Sequence, residues 1–203
     1  MGVVAGYHLI WTAYGWWLPN DPRGSTSREV NAISPQDLGE VHFGRKQFQP
    51  SRRVVTEFYQ EARGRLRFEL LTLSDREVAA IGAALGDVVS SQRYTSYACA
   101  IMPDHVHILI RKHGQLAPEM IDRLQAESRQ RVLSCGERDP QHPVWTAGGG
   151  WKVFLESREE FRRTIRYIEL NPIRIGRPQQ FWNFVTSYDG WLPGQVTRGK
   201  PRG

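Results

Sequence analysis

Two histidines separated by one residue are the side chains in this sequence with the clearest potential for chemistry. His105 and His107 open an apolar run that ends at Arg111, and the turn-forming pair Pro103-Asp104 precedes them. If the run is a β-strand, alternation places both imidazoles on the same face. Two neighbouring imidazoles suit two ligands of one divalent metal. The same alternation is typical of a half-solvated strand, so the pair alone leaves both interpretations open.

A second candidate group lies on a predicted helix further along the chain. Ser157 and Glu160 form a capping-box pattern that predicts the start of this helix. Pro172 is expected to end it, because a residue before proline is pushed out of helical geometry. Tyr167 and Asn171 are one turn apart and therefore share a face. That geometry suits a nucleophile beside an amide directed at a metal, although a tyrosine on a helix is more often packed.

The two stretches together resemble the single-tyrosine transposases of the HUH nuclease superfamily, and most closely the REP-associated tyrosine transposases. In that family a Met-Pro-(Asn or Asp)-His-hydrophobic-His strand carries two metal ligands, and a Tyr-Ile-x-x-Asn-Pro helix carries the nucleophile. The matching segments here are residues 102–107 and 167–172. The resemblance extends more loosely over residues 7–176 and is weakest over residues 20–74.

The resemblance implies an α+β fold, in which a ferredoxin-like antiparallel sheet carries helices and a long insertion follows the first strand. It implies that His105, His107 and Asn171 hold a divalent metal, Mg²⁺ or Mn²⁺, and that Tyr167 is the catalytic nucleophile. The implied activity is cleavage and rejoining of single-stranded DNA through a 5′-phosphotyrosine intermediate, at hairpin-forming repeat DNA. The implied partner is single-stranded or hairpin DNA, bound by a monomer or a homodimer.

Two other classes of function share some of these features. A replication initiator or relaxase has the same pair of histidines, but 203 residues leave no room for an appended helicase domain. A non-catalytic module derived from a transposase would bind hairpin or single-stranded DNA without cutting it. Both histidines, the tyrosine and the asparagine are present, which favours an active enzyme.

The elements expected to position these groups alternate between strands and helices. Strands are predicted at residues 7–14, 94–102, 105–111 and 151–155, and residues 66–73 are predicted to be a strand or a continuation of the helix before them. Helices are predicted at residues 54–67, after the capping box of Ser74 and Glu77, and after Pro118. This order predicts an α+β fold with antiparallel strands and with helices gathered over one face of the sheet.

Aromatic and arginine side chains predict contacts with nucleic acid. Trp16 and Trp17 precede Arg23 in a segment rich in proline and glycine. Indole faces suit the stacking of unpaired bases and a guanidinium suits a phosphate, whereas covering of a sheet edge is the alternative. The helix around Tyr167 carries further arginines that we expect to follow phosphates, with a solvated helix face as the alternative. These are Arg162, Arg163, Arg166 and Arg174.

Three other features lie near the two motifs. His8, in the first predicted strand, is expected to pack or to form a hydrogen bond rather than to bind a metal. Asp104 is expected to be a turn residue or, at most, to support a metal ligand. The glycines at residues 148–150 are expected to lead into the last strand, because they lack the lysine and the helix of a phosphate-binding loop.

Composition and charge are consistent with a DNA-binding protein of one domain. Lysine and arginine number 27 against 21 aspartate and glutamate, and the net charge of +6 favours a polyanionic partner. We expect one domain over residues 1–203, with an irregular insertion at about 20–53 and a basic tail at about 178–203. Two cysteines indicate no disulfide framework, and no signal peptide or membrane-spanning run is recognised, so a cytoplasmic protein is expected.

Overall fold

The computed structural model describes residues 3–18, 20–25, 44–45, 48–148 and 150–194. In chain order its elements are β1 (Gly6–Thr12), β2 (Gly24–Ser25), β3 (Gly44–Arg45), α1 (Arg52–Arg63), α2 (Asp75–Ser91), β4 (Ser96–Ile101), β5 (His105–Arg111), α3 (Ala117–Ser134), β6 (Trp151–Leu155) and α4 (Arg158–Arg174). The predicted insertion at residues 20–53 lies largely outside the described residues.

The main sheet has four strands in the order β4-β5-β1-β6, and every neighbouring pair is antiparallel. Helix α2 lies in the connection from β1 to β4, and α3 lies in the connection from β5 to β6. Each helix therefore links two strands that are not adjacent, which is the ferredoxin-like arrangement of split βαβ units. The predicted α+β fold with a ferredoxin-like sheet is confirmed.

The two faces of the sheet are covered by different helices. Alternate side chains of β1 such as Leu9 and Trp11 pack with α2 and α3 in the larger hydrophobic core. On the opposite face, Phe161 and Ile168 of α4 are fully buried in a second, smaller core. Helices thus lie on both faces, and the expectation that they gather over one face was wrong. The apolar stripe of α4 is the physical reason, because it has to be buried against the sheet.

Helix α4 lies close to β1 because glycine occupies one position of that strand. A Cβ atom on Gly6 would come within 2.4 Å of the ring of Phe161, so a larger residue would push the helix away. The predicted capping box is present, since the Ser157 hydroxyl accepts from the backbone N–H of Glu160 at 3.3 Å. The capping box therefore fixes the start of α4, and the contact between Gly6 and Phe161 fixes its height over the sheet.

Helix α4 continues through Pro172 to Arg174, so the prediction that proline ends it was wrong. Proline is compatible with helical φ and forfeits only one hydrogen bond here, while its ring is buried. The chain turns out of the helix just after Arg174, at Gly176, whose φ is +75°. The N–H groups of Gly176 and Arg177 bond the carbonyls of Ile173 and Pro172, which is the Schellman pattern.

Residues 66–73 form neither of the two predicted structures, since no strand of the sheets includes them and α1 ends at Arg63. Leu71 and Leu73 are buried, but the backbone makes single hydrogen bonds, from Leu71 to the carbonyl of Tyr14 and from Leu73 to that of Pro103. The edge strands of the main sheet are β4 and β6, so this segment does not extend the sheet. Its alternating apolar residues reflect packing against the core and not pairing with a neighbouring strand. Helix α1 spans Arg52–Arg63, within two to four residues of its predicted bounds.

The segment after α4 packs along β4 as far as it is described. The side-chain amide of Gln180 donates to the carbonyl of Ile101 at 2.7 Å and accepts from its N–H at 2.8 Å. Thr186 N–H donates to the carbonyl of Ser96 at 2.8 Å. These contacts protect an edge that would otherwise be open to pairing with another chain.

The cysteines and the hydropathy of the helices can also be compared with the sequence. Cys99 is buried in β4, and Cys135 follows α3, so the two cysteines are unpaired as expected. In the part of the chain that the structure describes, no helix combines the length and the apolar character needed to cross a bilayer.

Candidate active site

Strand β5 and helix α4 bring the four residues of the two sequence motifs together. In the sheet, His105 pairs with Thr12 and His107 with Ile10, and both imidazoles lie on the face that α4 covers. The rings of His107 and Tyr167 have centroids 5.5 Å apart and lie at 85° to each other. His105, His107, Tyr167 and Asn171 line one pocket of about 390 Å³ within a single chain.

The position of Tyr167 follows from the apolar stripe of its helix. Phe161, Ile168 and Pro172 are the buried residues of α4. Tyr167 and Asn171 lie on the flank of that stripe, and Tyr167 remains 37% exposed. The phenol therefore lies over the part of the sheet that α4 leaves open, next to the two histidines.

His107 is held by His8 through a hydrogen bond between imidazoles. Nε2 of His8 lies 3.0 Å from Nδ1 of His107, and both side chains are buried. Burial, followed by the charge of His105, lowers the pKa of His8 to about 4, and the same causes lower the pKa of His107, so both rings are neutral at pH 7. The expectation that His8 forms a hydrogen bond is confirmed by this contact.

The hydrogen bond to His8 determines what the other nitrogen of His107 can do. Nε2 of His107 is buried and has no hydrogen-bond partner among the described residues. When Nδ1 of His107 donates to His8, Nε2 carries a lone pair directed into the pocket. A metal ligand needs this tautomer, and a second group that fixes it is a common feature of metal-binding histidines.

His105 is held in the same manner by its neighbour Asp104. Nδ1 of His105 donates to a carboxylate oxygen of Asp104 at 2.7 Å, which leaves Nε2 for another partner. Burial raises the pKa of Asp104, but the hydrogen bond from His105 and the charges of His105 and Arg23 outweigh it, so the pKa is lowered. The turn thus directs the carboxylate toward its neighbour. Asp104 lies in the turn as expected and orients His105, whose role as a metal ligand stays a prediction.

The pocket offers two imidazole nitrogens and one amide oxygen to a metal. The Nδ2 group of Asn171 donates to the carbonyl of Tyr167 at 2.9 Å, so Oδ1 is the atom available as a ligand. Among the described residues, no group of three or more histidine, cysteine, aspartate or glutamate side chains is arranged to hold a metal. The mixed set of nitrogen and oxygen donors nevertheless fits a divalent cation that completes its coordination with water or phosphate.

The four arginines of α4 that were predicted to contact DNA are exposed. Within the described chain, none of Arg162, Arg163, Arg166 and Arg174 takes part in an ion pair. The guanidinium of Arg174 lies 5.3 Å from the centroid of the Tyr167 ring. Positive charge therefore lies beside the phenol, where a phosphate would have to approach. Contact of these arginines with DNA stays a prediction.

Trp16 and Trp17 are adjacent in sequence but lie in different environments. The indole of Trp16 donates to the carbonyl of Leu71 at 2.8 Å and packs on Tyr59, so its ring is engaged within the protein, and its contact with DNA stays a prediction. Trp17 lines the pocket with the two histidines. Its φ is +55°, a conformation that costs a non-glycine residue about 1–3 kcal/mol.

A buried charged cluster, formed by Asp21, Arg23 and Tyr59, holds Trp17 in this conformation. Tyr59 Oη accepts from the backbone N–H of Trp17 at 2.8 Å and donates to Asp21. Arg23 donates to both carboxylate oxygens of Asp21, at 2.9 and 2.7 Å. Its guanidinium also stacks over the indole of Trp17, 3.9 Å from the ring centroid. Arg23 was predicted to contact a phosphate, but in the structure it holds Trp17.

Sequence reasoning missed Trp151 as a site residue. The first residue of β6 lines the pocket, and its ring lies 5.4 Å from that of Trp17, at an angle of 71°. Gly150 places it, because a Cβ atom there would come within 2.1 Å of the carbonyl oxygen of Ile10. The alternation of the strand gave the orientation of Trp151, but only the pairing of β6 with β1 brings it to the histidines.

No protein-family model and no curated protein matches this sequence. Solved structures similar to this chain include a REP-associated tyrosine transposase bound to a REP hairpin, with 11% identity and a TM-score of 0.44; the match covers 87% of this chain and 72% of that one. Another is a protein of Deinococcus radiodurans R1 described as a candidate transposase, with 17% identity and a TM-score of 0.36 over 81% of this chain and 88% of that one.

Proposed function

We propose that this protein is a metal-dependent single-stranded DNA endonuclease and strand transferase that acts through Tyr167. The observation that carries the proposal is the meeting of a phenol with two imidazoles and an amide in one pocket. The ring centroids of Tyr167 and His107 are 5.5 Å apart, and Asn171 lies one helical turn beyond the phenol. These are the residue types of the two motifs that resemble single-tyrosine transposases, and they come from segments that are distant in sequence.

In the proposed reaction, the phenolic oxygen of Tyr167 attacks the phosphorus of a DNA phosphodiester. A bond forms between that oxygen and phosphorus, and the bond from phosphorus to the 3′ oxygen breaks. The exposed phenol loses its proton to water, and the leaving 3′ oxygen takes one up. The product is a 5′-phosphotyrosine and a free 3′ hydroxyl. The covalent bond keeps the phosphoryl group activated, so a second 3′ hydroxyl can later displace the tyrosine and rejoin the strand.

The other side chains of the pocket hold and orient the reacting groups in this proposal. Nε2 of His105, Nε2 of His107 and Oδ1 of Asn171 would hold Mg²⁺ or Mn²⁺. A divalent cation in this position supplies Lewis-acid polarisation of the phosphate and neutralises charge that develops on its oxygens. His8 and Asp104 keep the two imidazoles in the required tautomers. Arg174, beside the phenol, adds positive charge where the phosphate approaches.

Incubation with hairpin-bearing single-stranded oligonucleotides and Mn²⁺ or Mg²⁺ tests this proposal directly. We expect a protein–DNA adduct that survives denaturing electrophoresis and that forms only when the divalent cation is present. The DNA fragment released should end in a 3′ hydroxyl that a polymerase extends. Tight binding of the same hairpins without any adduct would contradict the enzyme and favour the non-catalytic binding module. Hairpin-forming repeat DNA is the substrate class that the sequence resemblance implies.

Substitution of His8 tests how the imidazole of His107 is oriented. His8→Leu removes the acceptor for Nδ1–H of His107, whereas His8→Gln supplies a side-chain oxygen that can accept the same proton. We expect His8→Leu to weaken Mn²⁺ binding by roughly 10- to 100-fold, the usual effect of losing the group that orients a metal-binding histidine. His8→Gln should retain most of the affinity. Calorimetric titration without DNA measures both, and equal affinities for the two variants would contradict the role of His8.

A further inference from the structure

The pocket has an apolar half that the proposed chemistry leaves unused. Opposite the polar groups, it is lined by Ile10, Trp17, Trp151 and Val153. The rings of Trp17 and Trp151 have centroids 5.4 Å apart and meet at 71°. Two rings at this angle form a corner, in which a third flat ring can stack on one and meet the other at its edge. Both arrangements are favoured for aromatic groups.

We infer that the corner of Trp17 and Trp151 is a subsite for one unpaired nucleobase next to the phosphate that is cleaved. The inference rests on the proposed function and names the part of the substrate that the apolar half binds. In a nucleotide, a charged phosphate and a flat base are joined through one sugar. A pocket of about 390 Å³ with one polar and one aromatic half matches those two ends. Unpaired bases stack on indoles with little dependence on sequence.

The interactions around Trp17 support a role in binding rather than in the core. Its indole is held before any ligand arrives, by the backbone hydrogen bond to Tyr59 and by the stacked guanidinium of Arg23. That guanidinium is itself fixed by Asp21, whose side chain is fully buried. A strained backbone at a residue that faces a pocket is typical of functional sites. Fixing the ring in advance lowers the entropy cost of stacking a base on it.

The position of β6 leaves the subsite open to a DNA strand. Strand β6 lies at one edge of the main sheet. Val153, which is on the same face as Trp151, is 47% exposed. A single strand can therefore reach the corner along the sheet edge. Phe154 directly follows Val153 in β6 but points to the opposite face, where its ring contacts Tyr7. Phe154 is 54% exposed and provides a matched control on the same strand.

The test separates base stacking from chemistry by measuring binding alone. In a Tyr167→Phe background without divalent cations, fluorescence anisotropy gives the Kd of a labelled hairpin with an unpaired flank of about 8 nucleotides. A second probe has the same backbone but abasic residues throughout the flank. We expect Trp151→Leu to weaken binding of the intact probe roughly 10-fold and to leave the abasic probe nearly unchanged. Trp151→Phe should retain most of the affinity, and Phe154→Leu should match the parent protein on both probes.

Equal affinity of the parent protein for the intact and abasic probes would overturn the subsite, and this measurement requires no change at Trp151. Equal effects of Trp151→Leu and Phe154→Leu on the intact probe would also overturn it. A different measurement, the formation of the covalent adduct, decides the proposed function. If the wild type forms no adduct while Trp151→Leu weakens binding of the intact probe and not of the abasic probe, the base subsite stands and the chemistry is wrong.

Discussion

Replacement of Tyr167 by phenylalanine is expected to abolish the covalent DNA adduct. The substitution removes one oxygen atom, which is the proposed nucleophile, and keeps the ring that contacts His107 and Arg174. Loss of a nucleophile lowers the rate by roughly three orders of magnitude or more, because the reaction then lacks its attacking oxygen. The measurement is the fraction of labelled hairpin DNA that is retained with protein on a denaturing gel.

Tyr188→Phe is the matched control for the loss of a phenol. The ring of Tyr188 stacks on that of Phe161 in α4, the helix that carries Tyr167, with the ring centroids 4.7 Å apart. The hydroxyl of Tyr188 donates to the carbonyl of Trp191. Tyr188 is not among the residues that line the pocket. We expect Tyr188→Phe to lose about 1 kcal/mol of stability and to form the adduct normally. An adduct that persists in Tyr167→Phe would show that another residue attacks the phosphate.

Replacement of His105 or His107 by alanine is expected to remove both divalent-metal binding and DNA cleavage. Each imidazole offers Nε2 to the pocket, and the remaining donors are one imidazole and one amide oxygen. Loss of a residue that only orients a ligand costs 10- to 100-fold in metal affinity, so loss of the ligand itself should cost about 100-fold or more. Calorimetric titration with Mn²⁺ measures the affinity, and the adduct assay over a range of Mn²⁺ concentrations measures the activity.

His113→Ala controls for the general effect of removing a histidine. Its ring contacts Tyr94, and its Nδ1 accepts from the backbone N–H of Gln115, away from the pocket. We expect the Mn²⁺ affinity of His113→Ala to equal that of the wild type. Thermal unfolding without metal establishes that His107→Ala, which leaves a cavity at a buried position, is still folded. Wild-type Mn²⁺ affinity in folded His107→Ala would contradict the proposed metal site.

The metal and tyrosine predictions fail in different ways, which separates an enzyme from a binding module. An active enzyme requires both Mn²⁺ and Tyr167 for the adduct, whereas hairpin binding requires neither. A module that only binds DNA would give the same hairpin Kd for the wild type, Tyr167→Phe and His107→Ala, with no adduct in any of them. The exposed arginines of α4 would serve both kinds of protein, so changes in them do not discriminate between the two.

Several parts of the fold and site follow from short-range patterns in the sequence. The bounds of β5 and β6 agree with the prediction, as do the capping boxes that begin α2 and α4. Strand alternation correctly placed His105 and His107 on one face, and helical spacing placed Tyr167 beside Asn171. Such features depend on residues within one strand or one helical turn, where backbone geometry fixes the direction of each side chain.

The errors arise where distant segments compete for the same backbone or the same burial. Residues 66–73 have the alternation of a strand but make isolated hydrogen bonds to Tyr14 and Pro103. Pro172 is tolerated inside α4 because burial of its ring and the Schellman pattern at Gly176 offset one missing hydrogen bond. In both cases a local preference gives way to tertiary packing.

The sequence by itself determined the pair of imidazoles, the phenol with its neighbouring amide, and the elements that carry them. Only the tertiary structure decided that α4 covers the face of the sheet to which the imidazoles point. It also brought His8 to His107, Trp151 to Trp17, and Tyr59 to the buried pair of Asp21 and Arg23. Each of these contacts joins segments with no common period, so strand order and register, rather than spacing along the chain, determine which side chains meet.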